Sequence, residues 1–134
     1  MRKILIEEEK RENMIRDCRD FNVALDFAYK DWKALNPAKD KPTTFQEGTE
    51  ILCDAMKLLL ISKNHKYGKN NILKFGQQGI FMRDWDKICR LEEGIMKGVD
   101  LGEEGLLETW ADNAGYSLVA MLLEKDWYEL PVEI

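Results

Sequence analysis

Residues 103–125 read EEGLLETWADNAGYSLVAMLLEK, and their spacing decides the fold. Leu107, Trp110, Ala111, Ala114, Leu118 and Met121 recur at the three- and four-residue steps of a helix face. They are expected to form the core side of a helix over about 103–125. Thr109, Asn113, Ser117 and Glu124 define the other, outward side. One helix cannot bury its own apolar stripe, so further helices must pack on it.

Those helices are readable on the N-terminal side. A turn over 94–102, glycine-bearing, separates the first stretch from a helix over about 79–93, whose buried side is marked by Phe81, Trp85 and Ile88. Residues 64–78 are polar and glycine-bearing and read as a loop. Before them, Thr44-Phe45-Gln46-Glu47 has the pattern of a capping box: the Thr44 hydroxyl accepts from the Glu47 amide and the Glu47 carboxylate reaches back. The helix it opens runs to about 63, with Leu52, Ala55, Met56 and Leu59 on its apolar face. The segment 36–42, carrying Pro37 and Pro42, ends an N-terminal helix over 7–35, because the residue before a proline avoids the helical region. Met14, Cys18, Leu25, Ala28 and Trp32 give that helix its stripe. Residues 126–134, with Pro131, read as an extended tail. The expectation is an all-α single domain over 1–134, a helical bundle of four main helices joined by short connections.

Composition narrows the function. The 134 residues are 45% hydrophobic and carry a net charge of −5, with a pI near 5.0. An acidic chain is a poor non-specific nucleic-acid binder. Cys18, Cys53 and Cys89 stand far apart, which reads as core thiols in a reducing compartment rather than a disulfide framework. With His65 as the single histidine, read as a loop residue, a zinc site has few ligands. No signal-peptide core is apparent, and no apolar run reaches the roughly 18 residues of a spanning helix. A cytoplasmic protein with no membrane partner is expected.

Carboxylates offer the first chemistry. Glu104, Glu108 and Asp112 stand at i, i+4 and i+8 and share a helix face. Like charges at that spacing cost about 0.2–0.5 kcal/mol per pair, and the helix dipole offsets this only in the first turn. The stripe runs on through Gly115 to Val119 and Leu122. Carboxylates on a partly inward face need a counter-charge or a metal, and an oxygen-only set suits Mg²⁺. Salt bridges to neighbouring helices would satisfy them equally. Glu47, Glu50, Asp54 and Lys57 form a second mixed stripe, from which Glu50 and Asp54 could complete a metal site or pair with cations.

Cations are segregated too. Residues 55–83 hold Lys57, Lys63, Lys66, Lys69, Lys74 and Arg83 and no acid, in a chain whose total is −5. Such separation of sign marks an anion-facing segment. Within it, Lys66-Tyr67-Gly68-Lys69-Asn70-Asn71 combines a glycine that lets amides approach an anion with a tyrosine that can stack on a base. Arg83, Lys87 and Arg90, with Asp86 beside them, stand at i, i+4 and i+7 and suit polyphosphate oxygens. An ordinary solvated face fits the same pattern.

Taken in order, Lys66-Tyr67-Gly68, the run GIFMRDWDKICRL over 79–91 and ETWADNAGY over 108–116 resemble the nucleotide-modification-associated domain family, type 1, of phages and bacteria. The resemblance covers about 47–123. It implies functional positions at Lys66, Tyr67, Arg83, Asp86, Lys87, Arg90, Asp112 and Tyr116, with Glu108 where aspartate is more usual and Gly115 where asparagine is. A weaker similarity is to the MazG-like all-α nucleoside triphosphate pyrophosphohydrolases, which hold Mg²⁺ on E-x-x-E and E-x-x-D pairs. Here the pairs are Glu47-x-x-Glu50 and Glu108-x-x-x-Asp112, the second one residue longer.

These resemblances imply a nucleotide-handling protein. The foremost expectation is Mg²⁺-dependent cleavage of a nucleoside triphosphate between its α and β phosphates. Asp86, Glu108 and Asp112 would be catalytic, Glu108, Asp112, Glu50 and Asp54 metal ligands, and Lys66, Tyr67, Gly68, Arg83, Lys87, Arg90 and Tyr116 would bind substrate. The alternatives are a non-catalytic nucleotide or nucleotide-signal binder and a helical protein-interaction module. A homo-oligomer stays open in each.

Overall fold

The computed structural model describes residues 8–133, the side chains of 8–11 and 104 excepted. Their regular structure is helical, with no strand among the described residues, as the all-α reading requires. No helix among them is long and apolar enough to cross a membrane. The chain forms two compact units, the first built on residues up to 66 and the second on 67–131.

The first unit holds α1 (Glu8–Asp17), α2 (Phe21–Leu35) and most of α3 (Phe45–Tyr67). The single helix expected over 7–35 is thus two, and residue 7 lies outside the described residues. Asp20 makes the break: its backbone is extended (φ −151°, ψ 179°) and its carboxylate accepts from the Val23 amide at 2.9 Å, capping α2. Apolar spacing misses the break because Met14, Ile15, Cys18, Phe21, Ala24, Ala28 and Trp32 are buried on both sides of it. The end of α1 is satisfied from α3. The Ser62 hydroxyl, fully buried, reaches the Ile15 carbonyl at 2.5 Å and the Cys18 carbonyl at 3.0 Å, and the Lys66 ammonium donates to Cys18 at 2.9 Å.

Polar groups also fix the proline loop before α3. The Lys33 ammonium donates to the carbonyls of Pro37 (3.0 Å) and Lys39 (2.7 Å), and the Tyr29 hydroxyl donates to the Asp40 carbonyl. The capping box forms. The Glu47 amide donates to the Thr44 hydroxyl at 3.1 Å, while the carboxylate reaches one residue further back than the simple motif, to the Thr43 amide at 3.2 Å, and pairs with Lys39 at 3.0 Å. Along α3, Ile51, Ala55, Leu58 and Leu59 are buried, but Leu52 is exposed, correcting its expected place on the apolar face. The helix runs on to Tyr67, so His65 sits exposed on its last turn rather than in a loop.

The second unit holds α4 (Asn70–Leu73), α5 (Gly76–Leu91) and α6 (Leu106–Glu124), so the loop expected over 64–78 is largely helical. A π-helical turn, Glu92–Met96, continues α5, and a 3₁₀ turn, Gly102–Glu104, precedes α6. Glu104 thus lies on that 3₁₀ turn, before α6 begins at Leu106. Ile72, Ile80 and Tyr128 form a buried cluster packed against Tyr116, Val119, Ala120, Leu122 and Leu123. Tyr128 corrects the extended-tail reading. Asp126 adopts φ 60°, the chain reverses, and the amides of Trp127 and Tyr128 return to the Leu122 carbonyl at 2.8 and 3.2 Å. Of the cysteines, only Cys18 is buried; Cys53 and Cys89 are exposed, not core fillers.

Candidate functional site

Four cross-helix contacts fix how α5 meets α6. The Gln77 amide donates to the Ala120 carbonyl at 3.0 Å. The Asn113 amide donates to both Asp84 oxygens, at 2.9 and 3.1 Å. The Lys87 ammonium lies 3.0 Å from Asp112 Oδ2. Arg90 donates to the Leu101 carbonyl, just before α6, at 3.4 Å. Rising numbers on α5 meet falling numbers beyond it, so the two helices form an antiparallel hairpin.

The seam is Ile80, Asp84, Lys87 and Leu91 from α5 against Thr109, Asp112, Asn113 and Tyr116 from α6. This overturns part of the sequence reading, although Ala111 is buried and Ser117 and Glu124 are exposed as expected. Phe81, Trp85 and Ile88, expected to be buried, are exposed, as are Leu107, Trp110 and Met121. Thr109, assigned to the outward side, is 1% exposed, and its hydroxyl donates to the Gly105 carbonyl at 2.9 Å. Asn113, assigned likewise, is half-buried on Asp84. Complementary groups on the two helices make a polar seam tolerable, since the Asn113 amide meets the Asp84 carboxylate and the Lys87 ammonium meets Asp112.

Successive residues turn about 100° around a helix, so each flank of the seam has its own character. On one flank stand Arg83 and Arg90 from α5 and Glu108 from α6, all half-buried. Arg83 donates to the Asn71 carbonyl at 3.5 Å. It also lies near enough to Tyr128 to draw that phenol's pKa down, against the larger upward push of burial. On the other flank stand Phe81, Trp85 and Ile88 with Trp110 and Met121. The hairpin has a charged face and an apolar face.

The expected site residues distribute unevenly over this frame. Arg83, Lys87, Arg90, Glu108 and Asp112 come together at the seam and its charged flank. Asp86 is exposed on the side of α5 turned away from α6; the acid that faces α6 is Asp84, two residues earlier. Tyr116 packs in the apolar cluster. Lys66 caps α1 in the first unit. Tyr67 is exposed, followed by Gly68 at φ 71°. Glu50 and Asp54 are half-buried on α3 in the first unit. Asp84 and Asn113 were missed by spacing alone; the signal was Ile80-Asp84-Lys87-Leu91, a helical stripe mixing apolar ends with charge.

Among the described residues no group of three or more histidine, cysteine or acidic side chains is placed to hold a metal ion. The second unit offers the α6 pair Glu108 and Asp112, one turn apart, with Asp112 bonded to Lys87. Mg²⁺ commonly takes one or two carboxylates and completes its shell with water and substrate phosphates, so this pair fits a substrate-borne ion rather than an all-protein cage.

No family model matches the chain, and no curated protein and no solved structure matches it.

Proposed function

We propose that the charged face of the α5–α6 hairpin binds a nucleotide through its phosphates. The observation that carries this reading is the half-buried cation stripe Arg83, Lys87 and Arg90 on one side of the hairpin. Lys87 is anchored by Asp112. Arg83 donates to the Asn71 carbonyl at a long 3.5 Å, and Arg90 to the Leu101 carbonyl at 3.4 Å. A phosphate offers shorter, charge-assisted and bidentate bonds, so it would displace those carbonyls at little cost. Exposed Tyr67 is the unit's candidate for stacking a base. That the anion is a nucleotide rests on the resemblance of the ordered motifs.

A second reading is supported by Glu108 and Asp112 on the same hairpin: Mg²⁺ carried in on the triphosphate would be held by these two carboxylates, and the ion would supply Lewis-acid activation for cleavage between the α and β phosphates. Thermal shift of the purified chain against nucleoside mono-, di- and triphosphates, each with Mg²⁺ and with EDTA, separates the two. Stabilisation that survives EDTA and is lost in Arg83→Ala and Arg90→Ala is the expected result for binding. Stabilisation that needs Mg²⁺ and vanishes in Asp112→Asn supports the hydrolase, to be followed by pyrophosphate release. No shift with any nucleotide overturns both.

A further inference from the structure

The first unit holds a cavity of about 540 Å³ between α2 and α3, inside the range of about 300–1,000 Å³ typical of small-molecule sites. Its walls are mostly apolar. Leu25 and the Tyr29 ring on α2 face Ile51 and Leu52 on α3, and Pro42 lines it from the loop between them. The Tyr29 wall is fixed in place: its hydroxyl donates to the Asp40 carbonyl, and its ring packs on Trp32 with centroids 5.9 Å apart. Two residues mark the cavity as a space kept open. Gly48 lines it from inside α3, where glycine destabilises a helix relative to alanine. A Cβ there meets nothing within 4 Å, so no neighbour demands the glycine, and what the missing side chain preserves is room. Leu52, one turn further on, is a cavity wall and is still 45% exposed.

We propose that this cavity binds a small hydrophobic amine, its apolar body against Leu25, Tyr29, Ile51 and Leu52 and its ammonium on Asp26. The charge of the lining selects the head group. Asp26 is the one charged residue that lines the cavity, and it is an acid. Asn22, one turn before it on α2, places an amide oxygen on the same edge as a second acceptor. An anionic ligand would meet the Asp26 charge, and a ligand without a polar head would leave that edge unused, although such groups are what orient a ligand in an apolar pocket. Asp26 already accepts from Lys30 at 2.9 Å, but the two side chains keep 59% and 70% of their surface in water. An exposed pair of that kind is weak, and a carboxylate accepts more than one donor. A ligand ammonium therefore joins Lys30 or replaces it at small cost. None of the residues offered for nucleotide binding lines this cavity, so the inference stands apart from that reading.

Titration calorimetry of the full chain with phenylbutylamine, phenylbutanol and phenylbutyrate tests it, because the three share an apolar body and differ in the charge of the head. The amine is expected to bind, the alcohol to bind about tenfold more weakly or worse, and the carboxylate to give no heat of binding. Asp26→Asn should bring the amine down to the affinity of the alcohol and leave the alcohol unchanged. Gly48→Leu puts a side chain into the cavity and should abolish binding of both, and Gly48→Ala should weaken both. An amine that binds no tighter than the alcohol overturns the proposal, as does amine binding that Asp26→Asn leaves unchanged, or no binding by the amine at all. A folded Gly48→Leu that still binds the amine places the ligand elsewhere and overturns it equally. Should Gly48→Leu lose its far-ultraviolet helix signal, Asp26→Asn decides alone, since its side chain is exposed and the change keeps its shape.

Discussion

The Lys87 ammonium lies 3.0 Å from the Asp112 carboxylate across the hairpin seam, and each side chain keeps only 21% of its surface in water. At that burial the pair is screened less than a surface ion pair, and losing one partner leaves the other facing the seam. Lys87→Met is expected to lower stability by about 1.5–3 kcal/mol, the range for hydrogen bonds to charged groups. The double variant Lys87→Met/Asp112→Leu should recover part of that loss. Urea denaturation of the four proteins of the cycle measures the coupling. A coupling near zero would mean that the Lys87–Asp112 pair adds nothing net to the seam.

Glu47 gives the first unit a pH dependence. The Lys39 ammonium, helped by the Thr43 and Thr44 donors, pulls its carboxyl from 4.5 to about 2. A carboxylate with a depressed folded-state pKa stabilises fully above its unfolded value and loses that contribution as pH falls through the folded one. The stabilisation should therefore be complete above 4.5 and fade towards 2. Glu47→Gln should melt lower than the unmodified chain at neutral pH, with the gap closing on acidification. Melting curves of both proteins across that window check it, and a gap independent of pH would assign the Glu47 effect to its hydrogen bonds rather than its charge.

Local signals in this chain survived folding, and signals that depend on what covers a face did not. Thr44 and Glu47 marked a helix start because a cap is made within four residues. The break at Asp20 was masked, since buried residues continue at helical spacing from Met14 to Trp32 on both sides of it. The cations Arg83, Lys87 and Arg90 were read as a group, and they do share a side of α5. Which side of α5 is inward was misread, because hydrophobic periodicity reports that a stripe exists and not that the same chain buries it. Phe81, Trp85 and Ile88 form that stripe and stay in water, while Asp84 and Lys87 turn in because Asn113 and Asp112 stand opposite. No spacing rule within one helix contains that complement.

Two helix glycines should respond with opposite sign to the same change. A Cβ on Gly48, in the second turn of α3, meets nothing within 4 Å, so Gly48→Ala should stabilise by the helix-propensity difference of about 1 kcal/mol, a rise of about 3–5 °C in melting temperature for a domain of this size. On Gly79 the added carbon would stand 2.6 Å from the Phe75 Cβ. That atom is fixed to the backbone just before α5, next to Gly76 at φ 56°, so the helix start itself must shift. Gly79→Ala should therefore melt lower despite its better propensity. Differential scanning calorimetry of the two variants checks both signs. A stabilised Gly79→Ala would mean the start of α5 yields freely.

Lysine and arginine variants should separate structure from recognition. Lys66 donates to the Cys18 carbonyl at 2.9 Å and closes the end of α1. Lys66→Met should lower stability by about 1 kcal/mol, the net worth of one such bond, and leave nucleotide affinity unchanged. Arg83 donates to the Asn71 carbonyl at a long 3.5 Å, so Arg83→Ala should cost little stability; Arg90→Ala is the second binding variant. Each should weaken nucleotide binding by about tenfold or more, the worth of a charge-assisted bond of about 1.5–3 kcal/mol. Titration calorimetry together with melting temperatures reads both axes on the same samples. If Lys66→Met lost affinity while keeping its melting temperature, and the arginine variants did the reverse, the phosphate site would have to move from the hairpin to the end of α3.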